Sequence, residues 1–552
     1  MRKAAALSTA AALALAATSG VAAMQSPPKA EDVVGNASQV ELRDGLDTGN
    51  LSSKRITMAY FQRIFSLDRP REELTPAEQK AADAMKAGAP AGQSLRSIIA
   101  LNNLAMAQAH ESDLRYRAGA PLGPLDGLPI LVKDNIETKD AMATTAGSLA
   151  LKDNITGRDA PIIARLRAGG VVILGKANLS EWANIRSDNS ISGWSATGGQ
   201  TRNPYALDRN TCGSSSGSGA AVAAGLAWAA IGTETDGSIT CPAAINGIVG
   251  LKPTVGLLSR TYIVPISHSQ DTPGPMTRTV RDAALMLNAM AGSDPADAAT
   301  KEADARKVDY TAGLKPDALK GVRIGVMRYA AGFHPGTDAE FEKALAVLKA
   351  QGATLVEVKE FPNRDKIGGD ELIVLLTELK ADLNSYLAST DPLKVKTRTL
   401  ADVIAFNKAN ADKEMPLFGQ ELFEKAQATK GLTDPDYIKA RDEAKRLAGP
   451  EGIDALLKAD KLDALVAPTL GPAWLIDPVL GDRFVGGGAG GAAAVAGYPH
   501  LTVPMGSVRG LPVGLSFVGA AWSEARLLAY GYAFEQATHA RRMPSFLATI
   551  SE

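Results

Sequence analysis

The 552-residue sequence predicts an α/β fold: a mixed, largely buried central β-sheet covered by helices, with a helical elaboration beside it. Two observations carry this reading. Short apolar runs of strand length alternate with segments whose apolar residues recur at helical spacing. Hydrophobic residues make up 45% of the chain and charged residues 22%, which supplies a large core and argues against disorder.

Taken in order, residues 30–115 read as mostly helical, with Leu, Ile, Met and Ala at helical spacing through Ile56–Leu67 and Ser94–Ala109. Leu128–Lys133 is an apolar run bounded by Gly127 and Asp134, as expected of a buried strand. Pro161–Ala168 reads as a helix closed by Gly169-Gly170 and followed by the strand Val171–Leu174. The rhythm continues with a helix over Gly217–Trp228, strands near Ala230–Thr233 and Ile248–Leu251, and a helix over Thr279–Met290. Further strands are expected at Val322–Met327, Thr354–Val358 and Leu462–Val466, between amphipathic helices at 338–350 and 435–448. Strands His500–Met505 and Val513–Val518 and a helix over Glu524–Ala537 close the chain. No repeat or long linker interrupts this order. Residues 24–552 therefore read as a single domain, with core motifs at 110–290, helical additions at about 300–450 and a C-terminal sheet and helix at 455–545.

Arg2 and Lys3, the apolar run Ala4–Ala17 and the small-residue stretch Thr18–Ala23 have the form of an export signal cleaved after Ala23. That run is shorter than the ~20 residues a spanning helix needs, so the mature protein is expected to be periplasmic or secreted, with no membrane segment. Lys plus Arg is 59 and Asp plus Glu is 60, a balance that gives no reason to expect nucleic acid as a partner. The five histidines are scattered and the two cysteines, Cys212 and Cys241, are neither a disulfide framework nor a metal motif. No metal or cofactor is expected, and oligomeric state and cysteine pairing stay open.

The informative stretch runs from Gly198 to Thr254. It contains Cys212-Gly-Ser-Ser-Ser-Gly-Ser-Gly-Ala-Ala, then Ile231-Gly-Thr-Glu-Thr-Asp-Gly-Ser-Ile-Thr-Cys-Pro, then Gly247-Ile-Val-Gly-Leu-Lys-Pro-Thr. A small-residue loop entering a helix turns several backbone N–H groups toward one point, which suits an anion or an oxyanion. No Lys follows the glycines as a phosphate loop requires, and the polar segment before Gly213 is not the strand that a dinucleotide fingerprint must follow. Gly213-Ser-Ser215-Ser-Gly217 matches the G-x-S-x-G elbow formally, but it too lacks a preceding strand. The Ser-x-x-Lys at Ser26–Lys29 lies at the leader junction.

Gly213–Thr254 resembles the amidase signature, the serine- and glycine-rich block of a large family of amide hydrolases. Gly127-Leu-Pro-Ile-Leu-Val-Lys133-Asp-Asn is similar to that family's lysine strand, and Gln270-Asp-Thr-Pro-Gly-Pro-Met-Thr-Arg-Thr-Val-Arg-Asp to its downstream segment. The resemblance implies the amidase-signature fold and a Ser-Ser-Lys triad of Ser238 as nucleophile, Ser214 as the bridging serine and Lys133 as base. Backbone N–H groups of Thr235, Asp236, Gly237 and Ser238 are implied as the oxyanion hole. Lys252, Asp134, Arg202 and His268 are assigned supporting roles only.

The chemistry is coherent. A serine hydroxyl must lose its proton as it attacks an amide carbon, and with no histidine obviously placed, a neutral lysine serves as base. Lys titrates near ~10.4 in water, so the site must lower that value, and the apolar strand ahead of Lys133 is a suitable setting. An acyl-enzyme on Ser238 would then be hydrolysed by water. Two positions depart from the family's pattern: Asp236 stands for a second glycine and Thr240 for an arginine. The Glu-Thr-Asp-Gly-Ser version with an export signal is similar to secreted bacterial peptide amidases, which implies small-molecule or peptide amides as substrates. A glutaminase-type amidotransferase subunit, opposed by the export signal, and a non-catalytic binding protein on the same fold are the alternatives.

Overall fold

The computed structural model describes residues 34–85 and 94–550, so the expected export signal lies outside the described residues. Eleven strands form one mixed sheet: β1 Ile98–Leu101, β2 Pro129–Lys133, β3 Val172–Ala177, β4 Ala229–Glu234, β5 Val249–Lys252, β6 Thr272–Thr277, β7 Arg323–Met327, β8 Thr354–Val358, β9 Ala464–Pro468, β10 His500–Val508 and β11 Leu511–Val518. Their spatial order is β1-β3-β2-β4-β6-β5-β10-β11-β9-β7-β8. β3, β2 and β4 run parallel, as do β9, β7 and β8, and the strands between them pair antiparallel. β2, β3 and β4 are buried along their whole length, which is why they read as continuous apolar runs rather than alternating ones.

Three segments differ from the sequence expectation. Ser94–Ala109 is not one helix: β1 occupies Ile98–Leu101 and pairs antiparallel with β3, and the helix runs over Ala105–Arg117. A short apolar run fits either periodicity, and tertiary pairing decided it. β6 was not foreseen because its sequence, Thr-Pro-Gly-Pro-Met-Thr, carries two prolines. Both face β4, Pro273 opposite Thr233 and Pro275 opposite Ile231, while β5 pairs only with Met276 and Thr277, beyond the prolines. The helix expected to reach Trp228 covers only Ser216–Ala223. It is buried on every face, which its Ser, Gly and Ala residues permit: a Cβ on Gly217 would meet the Ser97 carbonyl oxygen at 2.2 Å.

Residues 364–448 supply the helical additions, led by Arg364–Ala388 and Pro435–Ala448. Leu379, Leu383, Leu387 and Phe423 build a separate apolar cluster with Trp182 and Val264, which seats these helices over the loops that follow β2, β3 and β5. Among the described residues no helix is long and apolar enough to cross a membrane.

Candidate active site

β2 and β4 are parallel neighbours and end side by side, at Lys133 and Glu234. The loops leaving such ends converge on one crevice. The loop before the helix Ser216–Ala223 brings Ser214 there, and the turn from β4 to the helix Thr240–Ile245 brings Ser238. The peptide bond Gly213–Ser214 is cis. A disulfide joins Cys212 to Cys241, so the two cysteines, whose pairing the sequence leaves open, tie the two serine loops together.

Lys133 is completely buried. Its Nζ lies 2.7 Å from Ser214 Oγ, 2.8 Å from Thr233 Oγ1 and 3.2 Å from the Thr233 carbonyl oxygen. Asn135 Nδ2 also donates to Thr233 Oγ1, at 3.0 Å. Burial lowers the lysine to about 7, opposed by the negative charges of Asp271 and Glu234. Neither Thr233 nor Asn135 was singled out from the sequence. The parallel pairing of Leu128–Lys133 with Ala230–Thr233 is the signal that places Thr233 beside the lysine.

Ser238 is linked to the other serine loop through the backbone, Ser215 N–H donating to the Ser238 carbonyl at 3.1 Å. The Ser238 hydroxyl makes no hydrogen bond among the described residues. The backbone N–H groups of Thr235, Asp236, Gly237 and Ser238 likewise have no acceptor among them. Gly237 sits at φ +78°, a conformation that turns the chain here and that glycine adopts freely. The Glu234 carboxylate braces the far side of the turn, accepting from Ile239 N–H at 2.7 Å and Thr240 N–H at 2.9 Å. Thr240 Oγ1 also reaches Glu234, at 3.2 Å, so one departure from the family pattern serves local packing. Ser215, the elbow serine, is spent on structure: it bonds both the carbonyl and the N–H of Thr233.

A cleft of about 270 Å³ opens beside this turn, lined by Gly213, Asp236, Gly237, Thr240, Trp474 and His500 among others. A second cavity, of about 340 Å³, lies against Asn135, Thr233 and Thr235 and extends to Arg260, His268 and Tyr386. The larger one touches the lysine's supports and Thr235, and the smaller one touches Gly213, Asp236 and Gly237. Of the supporting residues, Lys252 is buried near Glu234 and Glu524 and is lowered to about 8 by burial. Asp134 accepts from Thr145 N–H at 3.1 Å, and His268 pairs with Asp382 and Glu378.

The family pattern named Amidase matches residues 84–528. This chain belongs to the amidase family. The amidase is 38% identical over 527 residues to a probable amidase of Arabidopsis thaliana, covering 93% of this chain and 95% of that protein. It is 36% identical to a glutamyl-tRNA(Gln) amidotransferase subunit of Synechococcus sp., over 86% of this chain and 92% of that one. Among solved structures, the native peptide amidase from Stenotrophomonas maltophilia superposes with a TM-score of 0.85 at 52% identity, over 94% of this chain and 99% of that chain. The amidase is thus an amide-hydrolysing enzyme on the amidase-signature fold.

Proposed function

We propose that the amidase hydrolyses unsubstituted carboxamides, C-terminal peptide amides among them, through an acyl-enzyme on Ser238. The observation that carries this reading is the surroundings of Lys133. A neutral amine has two N–H donors and one lone pair. The Thr233 carbonyl can only accept, and Thr233 Oγ1 is placed to accept as well, so the lone pair is left for the Ser214 hydroxyl at 2.7 Å. Lys133 then takes the Ser214 proton while Ser214 takes that of Ser238 as its oxygen attacks the carboxamide carbon. The negative charge that develops on the carbonyl oxygen is met by the free N–H groups of residues 235–238. The proton returns along the same path to the departing nitrogen, and ammonia leaves. Water, activated by the same relay, hydrolyses the ester on Ser238.

The 52% identity to a peptide amidase supports peptide amides over the glutaminase reading, which rests on relatives at 36%. The N-terminal pattern supports export, and a Cys212–Cys241 bridge persists in an oxidising compartment. A serine-reactive fluorophosphonate probe tests the mechanism. The expected result is stoichiometric labelling that Ser238→Ala abolishes. Labelling that survives Ser238→Ala rejects Ser238 as nucleophile, and ammonia released faster from glutamine than from an N-acetylated amino acid amide favours the glutaminase reading.

A further inference from the structure

Apart from the backbone N–H groups of the Ser238 turn, the cleft beside Ser238 offers side-chain acceptors rather than free side-chain donors. Asp236, two residues before the nucleophile position, is open to the cleft, and its carboxylate makes no hydrogen bond or ion pair among the described residues. Its carboxyl is pushed up, by desolvation first and by Glu234 next, with Lys252 opposing. Glu371 lies in an adjoining cavity of about 170 Å³ that shares Gly488 and Gly491 with the cleft; burial and the charge of Asp236 push its carboxyl up to about 8, and it accepts from Gln270 Nε2 at 2.8 Å.

His500 adds a second acceptor. The Ser516 hydroxyl donates to Thr469 Oγ1 at 2.8 Å, so the contact of 2.7 Å between His500 Nε2 and Ser516 Oγ is made by the Nε2 proton. Nδ1 therefore carries a lone pair, and it is buried without a partner. The donors on the same wall are already used: Trp474 Nε1 donates to Asp482 at 3.0 Å and Thr240 Oγ1 to Glu234 at 3.2 Å. A ligand that completes this wall brings N–H groups.

We propose that Asp236, assisted by His500 Nδ1, is the specificity-determining group that selects amides whose acyl half carries an N–H donor near the scissile carboxamide. The N–H of a peptide chain and the ammonium of an amino acid amide both meet this requirement; a plain alkyl or aryl amide does not. The inference rests on the carboxamide reading above and names the group that sets its substrate class. An acyl half bearing a carboxylate is repelled from the same wall.

The test separates binding from turnover. Ser238→Ala protein, full chain, is titrated by calorimetry with N-acetylphenylalaninamide, phenylalaninamide and 3-phenylpropionamide, which share the phenylpropanamide frame and carry at its α-carbon an acylated N–H, an ammonium and a hydrogen respectively. The expected result is that the two donor-bearing amides bind about tenfold to a hundredfold more tightly than 3-phenylpropionamide. Adding Asp236→Ala should bring the three to within about threefold, while Asp236→Asn, which keeps an acceptor of the same shape, should retain more preference for the acetylated amide than for the ammonium. Equal binding of all three by the Ser238→Ala protein, or a preference that survives Asp236→Ala, overturns the proposal. Turnover of the same amides by the unmodified enzyme is read separately. Absence of ammonia release there rejects the hydrolytic reading, and the binding ratios still decide the role of Asp236.

Discussion

Lys133 Nζ lies 2.7 Å from Ser214 Oγ, and both of its remaining contacts fall on a single residue, Thr233. This geometry fits a neutral amine, and burial brings the lysine to about 7. A protonated Lys133 has no lone pair and cannot accept from Ser214. Activity is therefore expected to rise with pH through about 7 as the lysine loses its proton. Lys133→Ala should lower kcat/KM by about a hundredfold to ten-thousandfold and remove this limb from the profile. Ammonia release from N-acetylphenylalaninamide at a series of pH values checks both. An unchanged acid limb in Lys133→Ala would assign the titration to another group.

Thr233 holds the amine in place, so Thr233→Val removes one acceptor while conserving shape. An acceptor stabilises the charged amine more than the neutral one, and its loss lowers the lysine further. The expected outcome is a fall in kcat of roughly tenfold to a hundredfold, with the acid limb displaced toward lower pH. Displacement toward higher pH would mean that Thr233 Oγ1 donates to the lysine instead of accepting from it.

The separate parts of the site were legible in the sequence because each lies in a short motif. Lys133 ends an apolar run, and Ser214 and Ser238 fall in small-residue loops that match a known order. What brings them together was not legible. Thr233 and Asn135 become neighbours of the lysine through the parallel pairing of β2 with β4, and local pattern carries no register between strands. His500 comes from β10, more than 260 residues after Ser238 in the chain. β6 was hidden for the opposite reason: two prolines argue against a central strand, yet they fall where β5 no longer pairs. Strands buried on both faces, such as β3 and β9, were found within a few residues because a continuous apolar run is unambiguous once glycine or proline bounds it.

The Cys212–Cys241 bridge joins the residue two before Ser214 to the residue three after Ser238. It closes a loop with a sequence separation of 29, for which chain entropy alone predicts about 3–4 kcal/mol of stabilisation. Its position makes a functional effect as important as that global one, since both serines are held by the segments it ties. The double variant Cys212→Ala/Cys241→Ala is expected to melt a few degrees lower, by roughly 2–4 °C or more for a chain of this size, and to lose about tenfold in kcat at a temperature where it is still folded. Circular dichroism establishes folding and ammonia release gives kcat. A variant that melts lower but keeps full kcat would restrict the bridge to a structural role.

His268 joins the loop after β5 to the helix Arg364–Ala388. Its Nδ1 lies 2.9 Å from Asp382 and its Nε2 3.3 Å from Glu378. Its pKa is raised above the ordinary 6.5, first by the Asp382 hydrogen bond and further by the charges of Asp382 and Glu378, against burial and Arg260. A raised folded value means that the contribution to stability is complete below about 6.5 and is lost as pH rises through the folded value. The His268 side chain is 43% exposed, so solvent screening keeps the effect small. Glu378 stays satisfied after the proton leaves, because Tyr437 Oη donates to it at 2.7 Å and Ser269 N–H at 3.0 Å. The melting temperature of the enzyme should therefore exceed that of His268→Gln by at most about 1 °C at acidic pH, with the gap closing as pH rises above neutrality. Differential scanning fluorimetry of both proteins across that range measures the gap directly. A gap that widens with pH would show that the imidazole is held neutral and contributes through packing alone.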